Sequence, residues 1–237
     1  MSGIVHSDPV EGHTAKALDT ALTEVRLHAV SLGGLVIDQV SMAMRSLLEG
    51  DRALADVVIE REDRVNQLER SVDHEAFAFM ARYQPMAGDL RLIKAIWRIA
   101  VELERAGDEA KKIARFAVRV SGGEPFGPVV AASRYLRHMA SLSALMLRNA
   151  VRALDETNTV LAQDVAVRDR ELDEEFQSGL RQVLTLVMEG EPYLRATMDT
   201  VLALKGLERI GDHAKNIAEQ VLFSVNGELA GKAVASV

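Results

Sequence analysis

The sequence contains no cysteine. That excludes a disulfide framework, a thiolate metal site and a thiol nucleophile, and it fits a reducing compartment. Proline occurs five times in 237 residues, at Pro9, Pro85, Pro125, Pro128 and Pro192, so long stretches are free of the strongest helix breaker. There is no run of about 18 consecutive apolar residues, and Met1 to Glu11 hold no basic segment followed by an apolar one. The sequence thus predicts neither a membrane-spanning helix nor a secretory signal. Surplus positive charge is missing too: the formal net charge is −7 and the pI near 5.5. Binding to a nucleic-acid backbone needs clustered Lys and Arg, so no nucleic-acid partner is expected. These absences describe a cytoplasmic chain long enough to bury a core without covalent staples.

What remains is periodicity. Leu92, Ile96, Ile99, Leu103, Ala106, Ala110, Ile113 and Ala117 step by four and three alternately, the seam of a helix packed in a bundle. Breaks near Gly50-Asp51, Gln84-Pro85, Thr157-Asn158 and Gly190 to Pro192 divide the chain into helices of about 30 residues, each about 45 Å long. Leu103 to Ala114 (LERAGDEAKKIA) aligns with Leu207 to Ala218 (LERIGDHAKNIA) at an offset of 104, with nine of twelve residues identical. Upstream, Ala43 to Asn66 aligns with Ala150 to Asp173 at an offset of 107, with eight identities. The sequence therefore predicts an all-α fold of two tandem homologous three-helix bundles, over residues 1–121 and 129–237, joined by a Gly- and Pro-rich linker over 122–128. The methionines fall mainly at apolar positions and read as core filler.

The repeated Leu-Glu-Arg-x-Gly-Asp puts Glu104 with Asp108, and Glu208 with Asp212, at i and i+4 on one helix face. Like charges at that spacing repel by a few tenths of a kcal/mol, so something is expected to compensate in both halves. Gly107 and Gly211 lie inside the same helices, where each costs about 1 kcal/mol relative to Ala. They imply the close approach of another group. The middle helices carry matching pairs, Glu62 with Asn66 and Asp169 with Asp173. Each bundle could direct two polar pairs toward one cation, and an all-oxygen donor set suits Mg, Ca, Mn or iron. The plain alternative is a solvated acidic face balanced by Lys111 and Lys215. Glu69 with Asp73 has no counterpart and reads as surface charge; His213, whose counterpart is Glu109, reads as solvent-facing. Arg91 and Arg195 correspond between halves and are candidates for anion binding or for charged caps on the bundle ends.

With these residues in view, the chain resembles the PhoU family of phosphate-transport regulators over nearly its whole length. The resemblance rests on Leu32-Gly33-Gly34-Leu35-Val36, on Gln84-Pro85-Met86-Ala87-Gly88-Asp89-Leu90-Arg91, and on Leu103 to Asp108 with its repeat at Leu207 to Asp212. It implies a metal cluster on each bundle held by Glu/Asp-x-x-x-Asp motifs: Glu104, Asp108, Glu208, Asp212, Asp169 and Asp173, with Glu62 and Asn66 as a departure in which an amide replaces one carboxylate, so that the sequence alone points to a weaker or empty first-bundle site. It also implies a non-enzymatic negative regulator of phosphate uptake and starvation signalling. Such a regulator would form a homodimer and link the ATPase of a phosphate ABC transporter to a sensor histidine kinase, reaching the membrane only through those partners. Two other readings compete. A carboxylate-bridged di-metal enzyme predicts Glu-x-x-His motifs, which are absent; a passive helical scaffold leaves the doubled acidic pairs unexplained.

Overall fold

Asp51 ends one helix and starts the next: its Oδ1 accepts from the Leu54 backbone N–H at 3.0 Å, the side-chain cap that a helix start needs. Gln84 closes the following helix in the left-handed region (φ 46°), its N–H bonded to the Met80 carbonyl, and Pro85 prevents continuation. Thr157 does the same (φ 52°), with Asn158 Oδ1 then accepting from Val160 and Leu161. The computed structural model describes residues 9–122, 126–188 and 194–227. Among these it has no strand, and six helices: α1 (Pro9–Glu49), α2 (Arg52–Tyr83), α3 (Ala87–Ser121), α4 (Gly127–Glu156), α5 (Thr159–Met188) and α6 (Leu194–Asn226). Helix α4 already begins inside the expected 122–128 linker. The expected break at 190–192 lies outside the described residues.

Each half is an up-down-up bundle. Helices α1 and α2 run antiparallel, since Gln39 meets Glu62 while His28 meets Glu75; α2 and α3 do likewise through Asp73 and Trp97. The second half repeats this, with Asn149 to Asp164 and His138 to Glu175 across α4 and α5, and Lys215 to Asp169 across α5 and α6. The α3 seam is buried as its spacing requires: Ile96, Ile99, Leu103, Ala106, Ala110 and Ala117 have no exposure, and Leu92 packs at its edge. Met44, Met139 and Met146 fill the core, but Met86, Met188 and Met198 are 80%, 89% and 58% exposed. The core-filler reading therefore fails for those three, which stand near helix starts or ends where the bundle offers no opposing surface.

The two bundles join along α3 and α6, again antiparallel. Lys94 lies 4.7 Å over the Phe223 ring, His213 pairs with Glu102, Arg209 with Glu109, and Asp199 with Arg119. Helices α1 and α4 form the second line of contact. Residues Lys16–Glu49 of α1 are long and apolar enough to cross a membrane by length and composition alone, a stretch that a search for unbroken apolar runs passes over. In this fold Ala29, Leu32, Val36, Ala43 and Leu47 of that stretch are fully buried in the protein interior.

Two glycines show how closely the helices approach. A Cβ on Gly33 would lie 2.5 Å from Val151 Cγ2, across the α1–α4 contact. One on Gly211 would lie 2.1 Å from Leu172 Cδ2, a side chain that is itself buried. A methyl gained there improves helix propensity by about 1 kcal/mol but overpacks a filled core, which costs about 1–3 kcal/mol. Gly211→Ala is therefore expected to lower stability in urea unfolding, with the second bundle yielding first; an unchanged midpoint would contradict the packing described.

Candidate metal centre

In the first bundle, α2 and α3 bring Glu62, Glu104 and Asp108 together, with one oxygen of each within 4.8 Å of the others. Glu62 is fully buried, Glu104 and Asp108 partly. Its position is set from α1: Gln39 Nε2 donates to Glu62 Oε2 at 2.7 Å, leaving Glu62 Oε1 buried without a hydrogen-bond partner. Gly107 makes the room, because a Cβ there would lie 3.3 Å from Val65 and 3.5 Å from Glu62 Oε2. The group for which the sequence demanded space at Gly107 is thus a carboxylate of the site itself and its apolar neighbour; at Gly211 it is Leu172.

Burial holds the Glu62 carboxyl above the usual carboxylate range, against the Gln39 hydrogen bond, and the charges of Asp108 and Glu104 add to the shift while Lys111 opposes it. Glu104 is raised by its own burial and by Asp108 and Glu69. An orphaned buried oxygen costs free energy unless it gains a partner, and three converging carboxylates repel. A hard cation satisfies both demands at once. Asn66, half-buried on the same helix one turn beyond Glu62, offers an amide oxygen as a neutral fourth donor.

The second bundle places Asp169, Asp173, Glu208 and Asp212 close enough that burial, then Glu208 and Asp169, raise the Asp212 carboxyl, while burial, then Asp169 and Glu208, raise that of Asp173. Its arrangement differs, however. Lys215 Nζ bonds Asp169 Oδ2 and Lys205 Nζ bonds Glu208 Oε1, both at 2.5 Å; Glu208 Oε2 is buried without a partner. Among the described residues no comparable group of three free-facing carboxylates forms here. The position of Gln39 is taken at the 107-residue offset by Met146, which is buried and cannot donate.

Several side chains depart from their expected places. His213 is not solvent-facing: its side chain is 17% exposed and Nδ1 lies 2.8 Å from Glu102 Oε2, which also accepts from Asn216 at 3.0 Å. Burial acts to raise Glu102, but those two bonds outweigh it and hold the carboxyl low. Glu69 and Asp73 are not simple surface charge, since both are half-buried and Asp73 accepts the Trp97 indole N–H at 2.7 Å. Arg91 packs against the α6 end at Gly227, whereas Arg195 is exposed near Asp199, at the opposite end of the α3–α6 pair. The two arginines form no common site. Gln39 is a site residue that the acidic motifs do not point to; its signal is a buried amide that interrupts the apolar steps Leu32, Val36, Val40 and Ala43 of α1.

Asp108 and Asp212 open on one groove of about 710 Å³ between α3 and α6, lined also by Arg105, Lys112, Arg209 and Lys215. The doubled motif and the fold have a match among known proteins. A family model described as PhoU domain matches residues 29–117 and again residues 136–221. The chain belongs to the PhoU family. It is 38% identical over 94% of its length, and 91% of the relative's, to the phosphate-specific transport system accessory protein PhoU homolog of Pseudomonas aeruginosa. The corresponding protein of Caulobacter vibrioides is 32% identical over 91% of this chain and 93% of its own. The crystal structure of PhoU from Pseudomonas aeruginosa superposes with a TM-score of 0.84 at 39% identity, covering 89% of this chain and 99% of that one. A streptococcal PhoU structure at 24% identity shares the fold, with a TM-score of 0.82 over 91% of this chain.

The raised carboxyls fix the sign of the pH dependence. Where the folded state holds a proton more tightly than the unfolded one, stability is lowest at neutral pH and rises as pH falls through the folded pKa toward the ordinary carboxylate value. Glu62→Gln keeps an acceptor for Gln39 and removes the charge. It is expected to raise the metal-free midpoint at pH 7 by about 2–4 °C, equivalent to about 1 kcal/mol, and to flatten the rise in stability between pH 7 and 5. Calorimetry across that range, in chelator, checks both.

Proposed function

We propose that this chain is a cytoplasmic, non-enzymatic regulator of phosphate-specific transport. It restrains phosphate uptake and starvation signalling when phosphate is plentiful, through contacts with the ATPase of a phosphate ABC transporter and with a sensor histidine kinase. As a homodimer it would reach the membrane only through these partners. The observation that carries the reading is the match of both bundles, over 94% of the chain, to relatives named as phosphate-specific transport accessory proteins. Two partner states are required, since a regulator shifts an equilibrium only by its differential affinity for them.

The metal part of the reading rests on Glu62, whose buried Oε1 has no partner and whose carboxylate converges with those of Glu104 and Asp108. Glu62, Glu104 and Asp108, with Asn66 beside them, would hold one cation, and Asp169, Asp173, Glu208 and Asp212 another. A bound cation would supply fixed positive charge at each carboxylate cluster. The residues themselves tie α2 to α3 and α5 to α6, so loading and bundle rigidity are linked.

Deletion of the gene in phosphate-replete cells of the source organism is expected to raise a starvation reporter such as secreted phosphatase, with restoration by the wild-type gene. Unchanged output would remove the regulatory reading and leave the scaffold. For the metal, a divalent ion at about 100 times its Kd should add about 2.7 kcal/mol to stability. Asp108→Asn with Asp212→Asn should abolish that gain, read by thermal unfolding with and without MnCl2 and by elemental analysis.

A further inference from the structure

The two carboxylate sites stand at aligned positions but are held in different ways, and we infer that they load in order, the first bundle before the second, with Gln39 as the positioning residue that sets the order. The inference rests on the metal reading above and deepens it.

Three observations carry it. In the first bundle, the neutral amide of Gln39 takes one oxygen of fully buried Glu62 at 2.7 Å and leaves the other without a partner, and a carboxylate oxygen of Glu62 lies within 4.8 Å of oxygens from Glu104 and Asp108. The amide fixes the carboxylate without neutralising it. No described ion pair joins a lysine to Glu62, Glu104 or Asp108, so an arriving cation meets donors already placed, and little side-chain ordering is left to oppose binding. In the second bundle, Asp169 and Glu208 are each engaged by an ammonium at 2.5 Å. Charge-assisted bonds of that kind are about twice as strong as neutral ones, and a cation must displace both to use the same oxygens.

The third observation is where the difference is encoded. Gln39 aligns with Met146, and Lys205 aligns with Val101. Each half therefore carries one residue that the other lacks: the orienting amide in the first, the competing ammonium in the second. Lys215 has a counterpart in Lys111, but only Lys215 bonds a carboxylate of its cluster. Removing Gln39 leaves Glu62 free to rotate; removing Lys205 frees Glu208 Oε1.

Mn²⁺ is the probe, because the electron paramagnetic resonance signal of the free ion counts unbound metal directly. Titrated into the full chain at pH 7, Mn²⁺ is expected to fill two classes of site at least tenfold apart in Kd. Asp108→Asn should remove the tight class and Asp212→Asn the weak one. Gln39→Met, which installs the second-bundle residue, should weaken the tight class about tenfold and leave the weak class as it was; the retained class also reports that the chain is folded. Lys205→Val should tighten the weak class alone. A single class, a reversed assignment, or a tight class unmoved by Gln39→Met would overturn the ordered loading while leaving metal binding intact. If the wild-type chain takes up no Mn²⁺ at millimolar concentration, the metal reading itself falls, and ordered loading with it.

Discussion

Antiparallel contact between α3 and α6 is the constraint on which the rest of the molecule depends. These are the last helices of their bundles and carry the same motif, so running them in opposite directions places one copy of each motif beside the other. Glu102 with His213 and Asn216, Glu109 with Arg209, and Arg119 with Asp199 mark this contact along its length. Ion pairs of this kind contribute modestly in themselves when exposed. Their part is register: a slide of one turn would separate every pair together and pull the Gly206 backbone away from Ile113, which lies 3.4 Å from its Cβ position.

Each metal-candidate cluster depends on this register at one remove. Carboxylates on α3 and α6 can converge with those on α2 and α5 only if the bundle seams hold them on the flank, out of the core and out of bulk water. Glu62 is the extreme case, a fully buried carboxyl. Burial without a partner is costly, and a buried charge is tolerated where hydrogen bonds or an opposite charge meet it. One hydrogen bond comes from Gln39; the second oxygen has no such bond. The second bundle solves the same problem with lysines.

Much of this was legible in the chain. The seven-step apolar seam of α3 is a direct record of a buried face, and twelve aligned residues suffice to reveal duplication, because chance rarely conserves both spacing and identity across a whole helix. Helix ends were legible where a proline, glycine or Asx cap stands. The site was legible only in part. Spacing places Glu104 with Asp108 on one face, but it cannot tell that Asp169 and Glu208 point to lysines while Glu62 points to an amide on a different helix. Those are partners chosen across helices, and helix periodicity carries no information about rotation of one helix against another. His213 shows the same gap: its counterpart, Glu109, hinted at solvent, whereas α3 supplies Glu102 across the bundle contact.

Duplicated halves joined head to tail, with equivalent helices facing each other in opposite directions, have the geometry of a twofold dimer whose subunits share one chain. A true homodimer must change both of its sites whenever it changes one. Covalent linkage lifts that restriction. Gln39 can differ from Met146, Val101 from Lys205, and Asn66 from Asp173, so under the ordered loading proposed above two sites of common descent and common scaffold would answer to different concentrations of the same ion. A molecule of this kind is able to report a graded quantity in two steps, where a symmetric pair would report it in one.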